Sequence, residues 1–253
     1  MIAPSLPMAI QDKWVDPAWR DTLLRVLNQD PWGSVMIYEG LRLGRIEVVA
    51  FSDHALVMAN RSNRIVSLAG TSPEQISLLL DTVKIGADIA VGPIALADRL
   101  SEKFGLARAV PCIQVVYPHA EVKVPDSDLV CTPATLDDVD FIMAHYQMET
   151  EEIIREYTVA GSIIIGRVGG DRVGFIGEHS EASMGILHVL EAYRGRGFAQ
   201  MLELHMMRRF LNQGRIPFAH IVVDNIASLR LQAKLGMVQA PGKIVWVVPD
   251  DEA

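Results

Sequence analysis

The sequence predicts an α/β fold in which a mixed, mostly antiparallel sheet is flanked by helices, and it predicts two tandem copies of that fold. Short strand-like segments alternate with amphipathic helical segments along the whole chain of 253 residues. Hairpin signals favour antiparallel neighbours. A strand–helix–strand pattern of the first half recurs in the second half, which indicates a duplication.

Composition narrows the class of protein. The chain is 50% hydrophobic with a net charge of -8, which is too acidic for a typical nucleic-acid binder. Its two cysteines, Cys112 and Cys131, have neither metal-ligand spacing nor the pattern of a disulfide framework. The first ten residues do not look like a signal peptide, and no apolar run is as long as a membrane span. We therefore expect a soluble, cytoplasmic protein with no metal, no membrane partner and no nucleic-acid partner.

The first half contains four groups of predicted elements. A helix is expected over residues 13–30, where tryptophans and leucines recur near a 3.6-residue period. Strand-like segments follow at 34–38, 45–50 and 55–59, separated by turn signals. Ser72 and Pro73 are typical of a helix start. A strand at 87–91, a helix at 94–104 and a strand at 112–117 complete this half.

A polar segment with two prolines at 118–128 is the best linker candidate, and elements restart after it. Gly169, Gly170 and Asp171 predict a hairpin between strands at 162–168 and 172–177. The other predicted elements are strands at 130–132, 183–190, 219–223 and 243–248, and helices at 136–145, 197–213 and 226–235.

An internal repeat supports division at the linker. Residues 87–91 resemble residues 219–223, and residues 103–106 resemble residues 234–237, at offsets of 132 and 131. We predict one domain over residues 1–120 and a second over 128–253. The first copy lacks the Arg-Gly-x-Gly turn of the second, so we expect only the second to bind a phosphate group.

The turn after the strand at 183–190 is the strongest functional signal. Gly195 and Gly197 allow a sharp bend and leave their amides uncovered, and a helix follows directly. A helix start binds anions through free amides and the positive end of its dipole. Arg194 and Arg196 add positive charge. The spacing matches neither a Walker loop nor the dinucleotide fingerprint, so a glycine turn alone does not identify the ligand.

Two motifs together resemble a known family. Arg194-Gly-Arg-Gly-Phe-Ala199 matches the first signature of the GNAT superfamily of acyl-CoA-dependent N-acyltransferases, and Asn225 through Met237 matches its second, with Met for the usual last aromatic residue. The resemblance covers roughly residues 128–250 and looks closest to the glycine N-acyltransferase-like branch. It implies a GNAT-like fold and acetyl-CoA (CoA) as the co-substrate.

The resemblance also implies roles for individual residues. The amides of Gly195, Arg196, Gly197, Phe198 and Ala199 would bind the CoA pyrophosphate, next to the charge of Arg194. Leu187, His188 and Val189 would hydrogen-bond the pantetheine, with the amide of Leu187 or Val189 polarising the thioester carbonyl. Asn225 and Ser228 would contact the pantetheine arm, although helix capping explains both residues equally well.

The chain departs from the family at both usual catalytic positions. Gln232 stands where many members have an acidic tyrosine, and Ser183 where many have a basic glutamate. His188 and Glu178 are the replacement candidates for the base, since His188 has a suitable pKa range and Glu178 ends the preceding strand. His179 and Glu181, which lie near Glu178 in the sequence, are further candidates. Glu149–Glu152 is expected to be a solvated helix start, with selection of a cationic acceptor as the alternative.

The predicted function is an N-acetyltransferase that moves an acetyl (acyl) group from acetyl-CoA to a primary amine by direct attack in a ternary complex. Its partner would be a small-molecule amine or an amino-acid-like acceptor. The alternative is a CoA-binding protein without transferase activity, a sensor or scaffold, which the missing tyrosine and glutamate favour.

Overall fold

The computed structural model describes residues 17–60 and 64–250 and folds them into an α/β protein with one seven-stranded and one four-stranded sheet. The helices are α1 (Pro17–Leu27), α2 (Val35–Arg42), α3 (Pro73–Thr82), α4 (Ala97–Phe104), α5 (Val139–Met143), α6 (Glu151–Val159), α7 (Phe198–Asn212) and α8 (Ile226–Lys234). The strands are β1 (Glu47–Phe51), β2 (Ala55–Asn60), β3 (Ile65–Gly70), β4 (Ile89–Pro93), β5 (Arg108–Val116), β6 (Val130–Pro133), β7 (Ile163–Val168), β8 (Asp171–Glu178), β9 (Met184–Val189), β10 (Phe218–Val222) and β11 (Val238–Val248).

The chain forms two compact units. The first contains the described residues before position 117, His220–Arg230 and the described residues from Met237 on. Its sheet has the order β1-β2-β3-β4-β11-β5-β10 and is mixed, because β3 and β4 are parallel whereas β11 is antiparallel to both β4 and β5. Ile76 and Leu80 of α3 and Leu100 of α4 belong to its buried core.

The second unit contains Tyr117–Ala219 and Leu231–Gly236. Its four strands are antiparallel in the order β6-β7-β8-β9. The core joins Phe175 of β8 to Ile142 of α5 and Ile154 of α6, all fully buried. Gly169 and Gly170 both have positive φ at the β7–β8 turn, so the predicted hairpin is confirmed with its glycines in the conformation that favours them.

Helix α7 has one apolar face. Phe198, Leu202, Met206 and Phe210 are all buried at intervals of four residues, which is the spacing of one helix face, and α7 packs on β8 and β9. Gly214 follows the helix in the left-handed conformation that commonly ends helices. The helix predicted from 197 to 213 is confirmed.

One predicted strand is wrong. Residues 34–38 were expected to be extended, but they lie at the start of α2, and every residue from Val35 to Leu41 is buried. The apolar run Val35–Tyr38 is followed by Glu39 and Gly40, which look like a turn signal, and so short a run cannot be distinguished from a strand by periodicity alone. The helix predicted over 13–30 is α1 where it is described; positions 13–16 lie outside the described residues.

The order of elements occurs twice along the chain. The series β1-β2-β3-α3-β4-α4-β5 has the same order of strands and helices as β7-β8-β9-α7-β10-α8-β11. This agrees with the repeat in the sequence. The division into domains 1–120 and 128–253 stays a prediction, because repetition along the chain and compactness in space are different criteria.

Candidate functional site

The glycine turn, residues 194–199, joins a short 3-10 turn at Glu191–Tyr193 to helix α7. Gly195 has φ 75° and Gly197 has φ 83°, and both are exposed. A Cβ atom added to either glycine would meet no other atom within 4 Å, so the space beside this backbone is open. Among the described residues, the amides of 195–199 donate to no other group of the chain. The turn therefore fits a phosphate or pyrophosphate group.

The start of α3 shows why α7 is different. The Ser72 side chain accepts a hydrogen bond from the Gln75 amide at 3.3 Å and so caps α3 from within the chain. Gly197 occupies the cap position of α7 and has no side chain to do the same. The first-turn amides of α7 therefore have no side-chain cap among the described residues. The expectation that only the second half binds phosphate stays a prediction.

The two arginines of the turn have different surroundings. Arg194 Nε donates to the Val189 carbonyl at 3.1 Å and ties the turn to β9. The Arg196 guanidinium lies over the rings of Tyr193 and Phe198, at 5.5 and 5.0 Å from their centroids. Both arginines are exposed, so both keep positive charge at the open side of the turn.

Strand β9 is the last strand of its sheet, and among the described strands it pairs only with β8. The Leu190 amide donates to the Val173 carbonyl at 2.9 Å, so residue 190 faces β8 and Val189 faces the open edge. The bond from Arg194 to the Val189 carbonyl agrees with this direction. Ile186 has φ 52° at an irregularity in the β8–β9 register, which is a rare conformation for a β-branched residue. Bulges of this kind redirect backbone groups next to functional sites.

His188 lies between two rings on β9. Its imidazole stacks on His145 at 5.2 Å and on Phe175 at 5.7 Å. Burial, together with the positive charges of His145 and Arg194, lowers the pKa of His188 below its ordinary value. His188 is therefore neutral at pH 7 and able to accept a proton.

Glu178 is not a solvated residue. Its carboxylate accepts two hydrogen bonds of 2.8 Å from the Arg215 guanidinium, and both side chains are 4% exposed. Arg215 also lies over the Phe210 ring at 3.7 Å. A carboxylate held in this way accepts a proton from a substrate only if the ion pair opens, which disfavours Glu178 as the base.

Both positions that depart from the family are buried and bonded to glutamates. Ser183 Oγ donates to Glu181 Oε1 at 2.5 Å. Gln232 Nε2 donates to Glu203 Oε1 at 2.7 Å, and both of these side chains are buried. The Ser183 hydroxyl and the Gln232 Nε2 group are therefore both engaged, and neither residue is an acid or a base of the usual kind.

A cluster of titratable side chains, which the sequence did not predict, lies at the end of β8. Its members are Tyr146, Glu149, Tyr157, His179 and Glu181. The Glu149 carboxylate lies 3.9 Å from His179 Nδ1, with side-chain exposures of 23% and 25%. Burial raises the pKa of Glu149, opposed by His179 and reinforced by Glu181. Burial and the same two glutamates raise the pKa of both tyrosines, that of Tyr157 to about 12.

Glu149 is thus not part of a solvated helix start. The exposed residues Glu151 and Glu152 begin α6, whose cap is Thr150, while Glu149 is turned inward. The only hint in the sequence was the proximity of Glu149 to that acidic run. Its neighbours His179 and Glu181 are about thirty residues away along the chain, which no periodicity reveals.

Asn225 and Ser228 belong to the first unit and form the start of α8. Asn225 Oδ1 accepts a hydrogen bond from the Ser228 amide at 3.1 Å, so Asn225 caps this helix. Their assignment to the pantetheine arm stays a prediction from the sequence. Within residues 17–60 and 64–250, no cluster of three or more acidic, histidine or cysteine side chains could hold a metal ion. No helix in the same ranges is long and apolar enough to cross a membrane.

Known structures share this fold. A protein from Drosophila aligns with a TM-score of 0.63 and 17% identity over 77% of this chain and 74% of its own. A GCN5-related N-acetyltransferase-like protein from Streptococcus suis aligns with a TM-score of 0.53 and 14% identity over 90% and 97%. A GCN5-related N-acetyltransferase from Kribbella flavida aligns with a TM-score of 0.53 and 12% identity over 86% and 96%. The chain therefore has the GNAT fold.

The match in sequence is more local. Residues 172–247 match the model of the FR47-like protein family, and this range contains the glycine turn, helix α7 and the Asn225 motif. No curated protein matches the chain.

Proposed function

We propose that this protein is an N-acetyltransferase that transfers an acetyl group from acetyl-CoA to a primary amine. The observation that carries the proposal is the glycine turn, whose free amides and open space lie at the start of an uncapped helix. The amine nitrogen would attack the thioester carbon within one ternary complex, giving an amide and free CoA. We also propose that, within the GNAT superfamily, the protein is most similar to the glycine N-acyltransferase-like branch.

In this proposal, the glycine turn binds the pyrophosphate of CoA and strand β9 binds its pantetheine arm. The amides of Gly195, Arg196, Gly197, Phe198 and Ala199 would donate to the pyrophosphate, and Arg196 would add charge. Arg194 would keep the turn against β9 through Val189. Leu187, His188 and Val189 would line the pantetheine, because β9 pairs only with β8 among the described strands. Val189, which faces away from β8, is the better candidate for the amide that polarises the thioester carbonyl.

The acceptor end of the site is supported by the cluster around Glu149. A carboxylate that is three-quarters buried lacks the solvation that normally stabilises its charge. In the described part of the chain, the nearest basic group to Glu149 is His179, at 3.9 Å. An amine that arrives as an ammonium ion would supply the missing positive charge. His188 remains the proposed base, and Glu178 is the weaker candidate because Arg215 holds its carboxylate.

A CoA-binding protein without transferase activity is the second candidate. It is favoured by the bonding of Ser183 to Glu181 and of Gln232 to Glu203, because neither position offers an acid or base of the usual kind. Release of free thiol from acetyl-CoA across a panel of primary amines distinguishes the two candidates. Thiol release with an amine, lost in the His188→Gln variant, supports the enzyme.

Binding is tested most sharply with a matched pair of glycine variants. Gly197 and Gly214 lie at opposite ends of α7, both have positive φ, and an added Cβ meets nothing at either. Glutamate at either position costs a similar backbone strain, on the order of 1 kcal/mol. Gly197→Glu places a negative charge at the proposed phosphate site, whereas Gly214→Glu does not.

Isothermal titration with CoA should therefore show binding by the native chain and by Gly214→Glu, and loss of binding by Gly197→Glu. The proposal is wrong if the native chain binds neither CoA nor acetyl-CoA. Equal affinities of the two variants would remove the glycine turn from the binding site.

A further inference from the structure

Glu203 and Gln232 form an isolated buried pair in the second unit. Glu203 lies on α7 and is 4% exposed, and Gln232 lies near the end of α8 and is 3% exposed. Gln232 Nε2 donates to Glu203 Oε1 at 2.7 Å. The other two oxygens of the pair, Glu203 Oε2 and Gln232 Oε1, are buried and have no hydrogen-bond partner among the described residues.

The two orphaned oxygens define the chemistry of the pair. An ionised carboxylate and an amide oxygen are both acceptors only, so neither can satisfy the other. If Glu203 Oε2 carries a proton, it donates to Gln232 Oε1, and the acid and the amide form a reciprocal pair of hydrogen bonds. One proton then satisfies both orphaned atoms, whose burial without partners is costly.

The surroundings favour the neutral acid. Burial raises the pKa of Glu203 to about 7, and the hydrogen bond from Gln232 only partly opposes this shift. No charged group contributes to that shift. The charged residues of the elements around the pair have other neighbours or are exposed. Arg167 of β7 and Arg172 of β8 bond Asp138, Glu178 of β8 bonds Arg215, and His188 of β9 stacks on His145. Asp171 of β8 and Arg230 and Lys234 of α8 are exposed. On α7 itself, His205 lies beside Arg208.

Glu203 is also close to the proposed phosphate site. It lies six residues after Gly197 on a continuous helix, which corresponds to roughly 9 Å along the axis. A negative charge at this distance in a protein interior opposes a bound anion by roughly tenfold in affinity. A neutral Glu203 imposes no such cost.

We propose that Glu203 is a positioning residue that holds a proton through its pairing with Gln232, and that CoA binding at the glycine turn is coupled to this proton. The inference rests on the proposed function. Binding of the anionic ligand strengthens proton binding by Glu203, and ionisation of Glu203 weakens ligand binding in return. The affinity for CoA should therefore decrease as the pH rises from 6 to 9.

Glu203→Gln is the matched variant. Glutamine has nearly the same shape, its amide can donate to Gln232 Oε1, and it does not titrate. CoA affinity of the native chain should fall roughly tenfold more than that of Glu203→Gln between pH 6 and 9. Titration of the CoA phosphates affects both proteins equally and cancels in the comparison. Glu203→Leu, which has no charge and no polar atom, is a second variant and should behave like Glu203→Gln.

Stability provides a readout without CoA. The folded pKa of Glu203 lies above its ordinary value of 4.5, so the stabilisation is complete below that value and is lost as the pH rises through about 7. The free energy of unfolding of the native chain should fall over this range relative to Glu203→Gln. Parallel pH profiles of stability would overturn the assignment of the proton.

The outcomes separate the two levels of the proposal. If the native chain and Glu203→Gln bind CoA with the same pH dependence, the coupling is wrong and the proposed function stands. If no variant binds CoA at any pH, the proposed function and the coupling both fail, while the stability profiles still decide whether Glu203 holds the proton.

Discussion

The side chains of Glu178 and Arg215 show how a residue that resembles a catalytic candidate in sequence can have a structural task. They are 37 residues apart, yet they form a buried bidentate ion pair in which Arg215 also lies over the Phe210 ring. Such a pair adds little to the net free energy of unfolding. Removing one partner is nevertheless strongly destabilising, because the remaining charge stays buried and uncompensated.

Arg215→Met should therefore lower the free energy of unfolding by about 3–5 kcal/mol, since it leaves Glu178 charged and buried. The double variant Glu178→Met/Arg215→Met should recover much of this loss. Urea unfolding monitored by circular dichroism measures both. A single variant as stable as the native chain would show that the pair opens readily, and Glu178 would then regain its place as a candidate base.

His188 makes a prediction about pH. Burial, His145 and Arg194 lower its pKa, so it should remain a neutral base to a lower pH than an exposed histidine. If it takes the proton of the amine, kcat/KM should fall with acid only below pH 6.5, the ordinary pKa of histidine. His145→Ala should move this limb to higher pH by removing a positive neighbour. An acid limb that is unaffected by both His145→Ala and His188→Gln would point to another base.

Glu149 makes a prediction about the acceptor. Glu149→Gln removes the charge but keeps the shape, so KM for a cationic amine should rise about tenfold, as for loss of one partner of a partly buried charge pair. The Kd of CoA should be unchanged. Glu152→Gln, an exposed position in the first turn of α6, is the control. Equal effects on cationic and neutral acceptors would argue against charge recognition.

At the scale of elements, the sequence predicts those helices and turns whose conformation is determined by a few neighbouring residues. Ser72 with Pro73, the Gly169–Gly170 hairpin and the glycines around α7 each favour one backbone conformation within a few residues, and these elements lie where the sequence placed them. The wrong prediction at α2 has a local cause as well: a four-residue apolar run followed by Glu39 and Gly40 looks in sequence like a strand that ends in a turn.

In the candidate site, too, the features formed by one short segment were predictable and those formed by distant segments were not. The glycine turn and its following helix were predictable because one short segment supplies both the bend and the free amides. The cluster of Glu149, His179 and Glu181 was not, because its members come from separate segments that meet only after β8 and β9 pair. The Glu203–Gln232 pair joins positions 29 residues apart, so the sequence shows two polar residues and not their bond.

At the scale of the whole molecule, the sheet of the first unit contains strands from both copies of the repeated element order. Strand β11, from the end of the chain, lies between β4 and β5 and is antiparallel to both. The sequence predicted a strand at 243–248, but hydrophobic patterning does not identify the partners of a strand. Val245 and Val247 of β11 are fully buried members of the core that contains α3 and α4.

A fragment of residues 1–120 should therefore fail to fold on its own, although it spans the whole first copy of the repeat. Without β11, β4 and β5 lose the strand that bonds both of them, and unpaired strand edges with an uncovered apolar face promote aggregation. We expect the fragment to be insoluble or to lack a cooperative unfolding transition by circular dichroism. A fragment in which residues 237–250 are joined to residue 120 through a flexible linker restores the missing strand and should gain structure. Cooperative unfolding of the unextended fragment would instead support residues 1–120 as a self-contained domain, with β11 replaceable in the sheet.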